Sequence, residues 1–174
     1  ARLAKAGHQV SLYEASDRVG GKLHTEWIGK VAFDTGPSLL TLPAVYKDFF
    51  ARTGKHLGLL CEIQAVNPSF DYHFADGTSV KFANLSRYHT LNNLRAAYGE
   101  PVARQWDQLM RRAEKMWDVS REPFIENELR SPFSLLKRFS LIRDIKIIAP
   151  WKTLRDIATQ ELSNQHLRYI LDRY

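Results

Sequence analysis

A strand-like alternation, Gln9-Val10-Ser11-Leu12-Tyr13, ends on an acid, Glu14, and is followed by Arg18 and then by two adjacent glycines and a base, Gly20-Gly21-Lys22. Alternating polar and apolar residues predict a half-buried strand, and paired glycines predict a turn that other residues cannot make. Loop chemistry accounts for the glycines. It does not account for an acid at the strand end and a base beside the turn.

An acid at the end of the second strand of a dinucleotide fold accepts hydrogen bonds from ribose hydroxyls, so Glu14 is placed for that task. The phosphate-cradling glycines of such a fold lie in the first strand-to-helix turn, about 20 residues before the acid. Counting back puts that turn upstream of Ala1. The opening ARLAKAG also reads as the back half of a helix with Gly7 as its C-cap, and NQHLRYILDRY ends inside a helical pattern. The expectation is therefore a fragment that carries half of a nucleotide site. Without further signals, an acid after a strand is more often simply solvated.

Composition narrows the classes. Of 174 residues, 44% are hydrophobic, enough for a sizeable core and against a disordered chain. The net charge of +6 is compatible with an anionic nucleotide, an acidic membrane surface or nucleic acid, but the bases are scattered through the chain. Nucleic-acid binding needs clustered bases with interleaved aromatics on one surface, so no nucleic-acid partner is expected. The single cysteine, Cys61, makes no internal disulfide, and His8, His24, His56, His73, His89 and His166 lack the paired spacing of zinc sites. No metal is expected, and the compartment expected is a reducing cytoplasm. No run approaches the roughly 20 apolar residues of a spanning helix, so any membrane contact is peripheral.

Further along, Trp27-Ile28 and Val31-Ala32-Phe33 flank Gly29-Lys30 like a small hairpin, and PAVYKDFFARTG predicts a helix from Pro43 to Gly54. FDYHFADGTSVKF predicts a hairpin over 70–82, with Phe70, Tyr72 and Phe74 on one face and Asp76-Gly77 in the turn. From Glu100 the pattern turns helical. Val102, Trp106, Leu109, Met110, Ala113 and Trp117 form a stripe whose expected role is core packing. The segment SPFSLLKRFSLIRDIKIIAPW carries Lys137, Arg138, Arg143 and Lys146 among large apolar residues. It reads as two short helices around Pro132 and Pro150, or as a basic and apolar patch, 133–148, that touches lipid. No Gly-x-Ser-x-Gly elbow, phosphate-loop lysine motif or Cys pair occurs, so hydrolase, nucleoside-triphosphatase and zinc chemistry have no support.

The segment RVGGK followed by FDTGPS resembles the second fingerprint of the flavoprotein group that includes amine oxidases, protoporphyrinogen oxidases and carotenoid desaturases. In that group Arg-x-Gly-Gly-Arg follows the ribose-binding acid. Glu14, Arg18, Gly20 and Gly21 match, with Lys22 in place of the usual Arg. A lysine there offers a point charge without the guanidinium fork. Asp34, Gly36, Pro37 and Ser38, followed by the Pro43 helix, narrow the resemblance to carotenoid desaturases of the bacterial phytoene desaturase type.

The resemblance implies an α/β Rossmann-type FAD-binding part, residues 1–65, and a largely helical α+β substrate or membrane-facing region, 66–174, both incomplete. It implies FAD as cofactor, held by Glu14, Arg18, Gly20, Gly21, Lys22, Gly36, Pro37 and Ser38. The implied activity removes hydride from a long polyene precursor to introduce C=C bonds in carotenoid biosynthesis, with a lipophilic polyene as substrate and a cytoplasmic, peripherally membrane-associated location. The fragment by itself is not expected to turn over. No catalytic residue is assigned; Arg143-Asp144 reads as an exposed salt-bridging pair. Two alternatives stay open: another flavoprotein of the same motif (amine oxidase-like or polyisoprenoid-saturating), and a non-enzymatic basic helical module that binds membranes or partners.

Overall fold

A computed structural model describes residues 1–37, 39–126 and 141–173, which fall into two compact units, Ala1–Gln64 and Ala65–Tyr174. In the first unit, helix α1 (Arg2–Lys5) is a single turn. It ends where Gly7 takes a φ of 90° and the His8 amide donates to the Leu3 carbonyl at 3.1 Å. Strands β1 (Thr25–Ile28) and β2 (Val31–Asp34) pair antiparallel about Gly29-Lys30, with Ile28 opposite Val31 and Thr25 opposite Asp34. A two-residue turn needs positive φ, and Gly29 supplies 64°.

Helix α2 (Pro43–Thr53) opens on Pro43, whose missing N–H would have had no partner in the first turn, and stops at Gly54. The Asp48–Arg52 pair, 2.7 Å apart, braces its last turns, and the Arg2 guanidinium lies 5.9 Å from the Phe49 ring. A 3₁₀ turn, Leu57–Leu59, follows. Leu57 is the one buried apolar side chain among the described residues of this unit.

One expectation is corrected here. Gln9–Tyr13 forms no strand; Leu12 and Tyr13 are exposed, and no strand among the described residues pairs with the segment. A strand exists only through a neighbour that takes its N–H and C=O groups, however good its alternation. Among the described residues there are two two-stranded antiparallel sheets and no parallel sheet.

The second unit carries a proper core. Strands β3 (Phe70–His73) and β4 (Ser79–Phe82) pair with Phe70 opposite Phe82 and Tyr72 opposite Val80, so the apolar residues share one face. Gly77, at φ 85°, makes the turn, and the Asp76 carboxylate accepts from the Thr78 amide at 2.9 Å.

Helix α3 (Arg87–Tyr98), which the sequence reading missed, is capped by Ser86 accepting from the His89 amide and closed at Gly99, φ 85°. Helix α4 (Glu100–Arg121) starts at once, with Pro101 in its first turn. Helices α5 (Leu141–Ile148), α6 (Leu154–Glu161) and α7 (Gln165–Asp172) follow. A reciprocal Thr153–Asp156 capping box starts α6, and Asn164 caps α7.

Val80, Phe82, Leu94, Trp106, Leu109, Leu162 and Leu167 pack into one cluster, with the Phe82 and Trp106 rings edge to face at 5.1 Å. Leu94, Leu162 and Leu167 are fully buried, each contributing about 2 kcal/mol of transfer free energy. The predicted α4 stripe is buried only in its first half. Ala103, Trp106 and Leu109 are inside, whereas Ala113 and Trp117 are exposed. Among the described residues, the cluster that the hairpin, α3, α6 and α7 build reaches α4 from Val102 to Met110 and goes no further.

A polar knot ties three of these elements. The His166 ring on α7 stacks on Phe74 at 3.9 Å, its Nδ1 lies 3.1 Å from the Tyr98 hydroxyl, and its Nε2 lies 3.3 Å from an Asp76 oxygen.

Candidate flavin-binding segment

The acid, the glycines and the base belong to two consecutive turns in the first unit. Glu14 Oε1 accepts from the Ser16 amide and from the Ser16 hydroxyl, both at 2.9 Å. These bonds, the amide first, lower the pKa of the exposed Glu14 carboxyl. An ionised carboxylate is an acceptor only, which is what a ribose diol requires. Ser16 is the functional neighbour that sequence reasoning missed; the acid-x-serine spacing is the signal, because short polar side chains bond backbone two residues away.

The second turn is made by the glycines. Gly20 stands at φ 110° and Gly21 at 59°, both in the left-handed region, and the Leu23 amide donates to the Gly20 carbonyl at 3.1 Å. Arg18 and Lys22 flank this turn on the surface, and neither forms an ion pair among the described residues. Two unpaired cations beside backbone that lacks Cβ atoms suit an anion that must come close.

The Asp34-Thr35-Gly36-Pro37 segment returns to this turn. Thr35 donates its amide to the His24 carbonyl at 2.9 Å, and the Thr25 hydroxyl donates to Asp34 Oδ1 at 2.7 Å, fixing the base of the β1–β2 hairpin. Gly36 then lies against the main chain of Lys22 and Leu23. A Cβ at Gly36 would overlap the Lys22 carbonyl oxygen and sit 3.0 Å from the carbonyl carbon and 3.1 Å from the Leu23 Cα. Leu23, His24, Thr25, Asp34, Gly36 and Pro37 line an open cavity of about 310 Å³.

Of the predicted residues, the structure thus brings Lys22 against Gly36 and places Pro37 at the cavity. Glu14 and Arg18 belong to one turn, since the Ser16 hydroxyl also approaches the Arg18 carbonyl at 2.6 Å. Ser38 lies outside the described residues. His24 and Thr25, which line the cavity, were not singled out from sequence because nothing local marks a hairpin residue as a cavity wall. The cofactor that the sequence resemblance implies fits these residues. An exposed acid stands at one turn, the glycines of the next leave open backbone at Gly21, and the bases that flank it form no ion pair among the described residues. No group of His, Cys, Asp and Glu among the described residues could hold a metal.

In the other region proposed from sequence, Lys137 and Arg138 lie outside the described residues, as does Pro132. The described part is α5, where Arg143 is exposed and its guanidinium lies 3.4 Å from Asp144 Oδ1. The pair exists, but Asp144 is buried and only Arg143 faces water.

The family model described as flavin containing amine oxidoreductase matches residues 1–164. The 4,4'-diapophytoene desaturase (4,4'-diaponeurosporene-forming) of Staphylococcus haemolyticus strain JCSC1435 is 29% identical over 176 residues, covering 98% of this chain and 34% of the relative. The 4,4'-diaponeurosporene oxygenase of the same organism is 26% identical over 174 residues, 98% of this chain and 34% of the relative. A 4,4'-diapolycopene oxygenase of Methylomonas sp is 40% identical over 78 residues, 45% of this chain and 16% of the relative. The chain therefore spans about a third of the length of the first two relatives. Membership of the matched family implies a flavin cofactor and a Rossmann-type binding fold. A match running from residue 1 to residue 164 leaves one assignment: the chain belongs to the flavin containing amine oxidoreductase family, in company with the carotenoid desaturases it resembles.

Proposed function

We propose that the chain forms part of an FAD-dependent oxidoreductase that removes hydride from a saturated C–C bond of a long, lipophilic polyene precursor and so introduces C=C bonds. The observation that carries this reading is the double-glycine turn, with Gly20 and Gly21 at positive φ and open space where a Gly21 Cβ would be, flanked by Arg18 and Lys22, neither of which forms an ion pair among the described residues. The names of the relatives, a diapophytoene desaturase and oxygenases of related polyenes, support the substrate class.

In this reading residues 1–65 belong to the flavin-binding part and 66–174 to the substrate region. Glu14 accepts hydrogen bonds from the ribose, while Arg18 and Lys22 face the pyrophosphate and the glycines let backbone approach it. Gly36, Pro37 and Ser38 bring the chain back beside the flavin. When bound, FAD supplies the acceptor for the hydride. A substrate dissolved in lipid requires an enzyme that meets the bilayer, and no helix among the described residues is long and apolar enough to cross one. Peripheral membrane association and a cytoplasmic location are part of the proposal.

The test is optical. Purified full-length protein should show flavin absorbance that survives dialysis and bleaches when the polyene precursor is supplied without an electron acceptor. Protein that is colourless, and stays so after FAD is added, ends the oxidoreductase reading.

A further inference from the structure

Three segments distant in sequence close on one imidazole. Asn164 caps α7 by accepting from the Leu167 amide at 3.1 Å, which places His166 in the first turn of that helix. The His166 ring lies 3.9 Å from that of Phe74 and 7° from parallel to it, with Nδ1 3.1 Å from the Tyr98 hydroxyl and Nε2 3.3 Å from an Asp76 oxygen. Its side chain is 20% exposed. Phe74 and Asp76 belong to the β3–β4 turn and Tyr98 ends α3, so the ring joins the hairpin, α3 and α7 inside the second unit.

Donor and acceptor rules fix the hydrogens. Above about pH 5 a carboxylate only accepts, so Nε2 carries the ring hydrogen and Nδ1 of the neutral ring accepts from the Tyr98 hydroxyl. Burial, and then the Asp76 charge, push the Tyr98 phenol up, so it keeps the hydrogen it donates. When the ring takes a second proton both nitrogens donate, and the Tyr98 oxygen changes from donor to acceptor. Neither state leaves a ring nitrogen without a partner.

Charge decides which state binds the three segments harder. The dipole at the N-terminus of α7 and the burial of the ring oppose a cation. Asp76 offers a charge-assisted bond, the face of Phe74 attracts a cation laid over it, and the part of the ring still open to water limits the desolvation. Other charged groups on these elements are engaged elsewhere. Arg95 of α3 pairs with Glu100 of α4, Arg155 of α6 with Asp172 of α7, and Arg168 donates to the Leu162 carbonyl at 2.7 Å. On the hairpin, His73 and Lys81 both face Asp71.

We propose that Asp76, His166 and Tyr98 form a proton-switched clasp, in which a charged His166 holds the β3–β4 turn to α3 and α7 more tightly than a neutral one. The clasp lies wholly in the second unit and does not depend on the flavin reading. It makes the turn firmer in mild acid than above neutrality, because histidine changes charge between about pH 5 and 8. In stronger acid the Asp76 carboxylate is itself protonated and the clasp opens.

Hydrogen exchange of the full-length protein, read by mass spectrometry over residues 73–79 and expressed relative to the unstructured peptide at each pH, tests the proposal. The Phe74, Gly77 and Thr78 amides donate within this turn. Their protection in wild type should be roughly threefold greater at about pH 5.5 than at about pH 8, the gain of a charge-assisted bond discounted for the exposure of Asp76. His166→Gln and Asp76→Asn should each abolish the difference, the latter while keeping an acceptor for the Thr78 amide. His73→Gln should leave it in place. Nitrogen NMR at about pH 8, with the His166 signals identified by their loss in His166→Gln, should find the ring hydrogen on Nε2.

Equal protection at both pH values in wild type, a difference that survives His166→Gln or Asp76→Asn, or a neutral ring with its hydrogen on Nδ1 overturns the clasp. Circular dichroism checks that each variant folds. If His166→Gln does not, Asp76→Asn, a change in an exposed turn, decides by itself.

Discussion

Gly36 packs against the main chain of Lys22, so closely that a Cβ would sit 3.0 Å from the Lys22 carbonyl carbon and 3.1 Å from the Leu23 Cα. The neighbour is backbone and cannot swing aside. Gly36→Ala is expected to push the 34–37 segment off the glycine turn, destabilise the first unit by about 1–3 kcal/mol and lower flavin retention. Gly21→Ala should act differently. Nothing lies within 4 Å of its missing Cβ, but its φ of 59° costs an alanine about 1–2 kcal/mol, and asparagine should recover part of that. Flavin retained after dialysis, measured for Gly36→Ala, Gly21→Ala and Gly21→Asn, separates the need for space from the need for conformation.

Glu14 and Ser16 should act on the cofactor as a pair. Glu14→Ala removes the proposed ribose acceptor and should lower flavin affinity about tenfold or more, the scale of a hydrogen bond to a charged group. Ser16→Ala keeps the stronger amide bond and loses only the hydroxyl, so its effect should be smaller. The Glu14 carboxyl is held below its usual range, chiefly by the Ser16 amide, so retention should persist through neutral pH and fall only in acid. Titration of flavin fluorescence checks both points; equal retention in wild type and Glu14→Ala would remove Glu14 from the site.

Acid should also loosen the β3–β4 turn. Asp76 is depressed first by its hydrogen bond from the Thr78 amide and, less strongly, by His166. A depressed carboxyl contributes stability that is complete above about pH 5, past its unfolded value, and is lost as pH falls through the folded value. Asp76→Asn should therefore flatten the acid limb of a plot of Tm against pH. An unchanged slope below pH 4 would show that the turn does not depend on that carboxylate.

The two tryptophans of α4 offer a contrast in burial. Trp106→Ala removes a buried ring that meets Phe82 edge to face and should cost about 3–5 kcal/mol in urea unfolding. Trp117→Ala, on the same sequence stripe but 42% exposed, should stay within about 1 kcal/mol. Similar losses at both positions would mean that the stripe is covered along its whole length.

Local chemistry explains why so much was legible. Proline at the start of α2, Gly54 after it, Gly29 and Gly77 in two turns and the alternation of Phe70, Tyr72, Val80 and Phe82 act over a few residues, and the elements lie where those signals put them. Helix α3 escaped although Ser86 and Gly99 bracket it, because its apolar face, Leu91 and Leu94, is short and its surface is rich in amides and bases. The strand expected at Gln9–Tyr13 failed for the opposite reason. Its alternation is good, but a strand requires a partner at its edge, and alternation says nothing about whether one is present.

By itself the sequence determined the order of an acid, two glycines and a base, the turns those glycines permit and the family to which that order belongs. Only the tertiary structure decided that Gly36 must be bare because Lys22 passes behind it, and that Trp106 is buried while Trp117 is not. The division follows from range. Backbone conformation and capping depend on neighbours within about four residues, whereas close approach and burial depend on which distant segment arrives, and no single segment encodes that arrival.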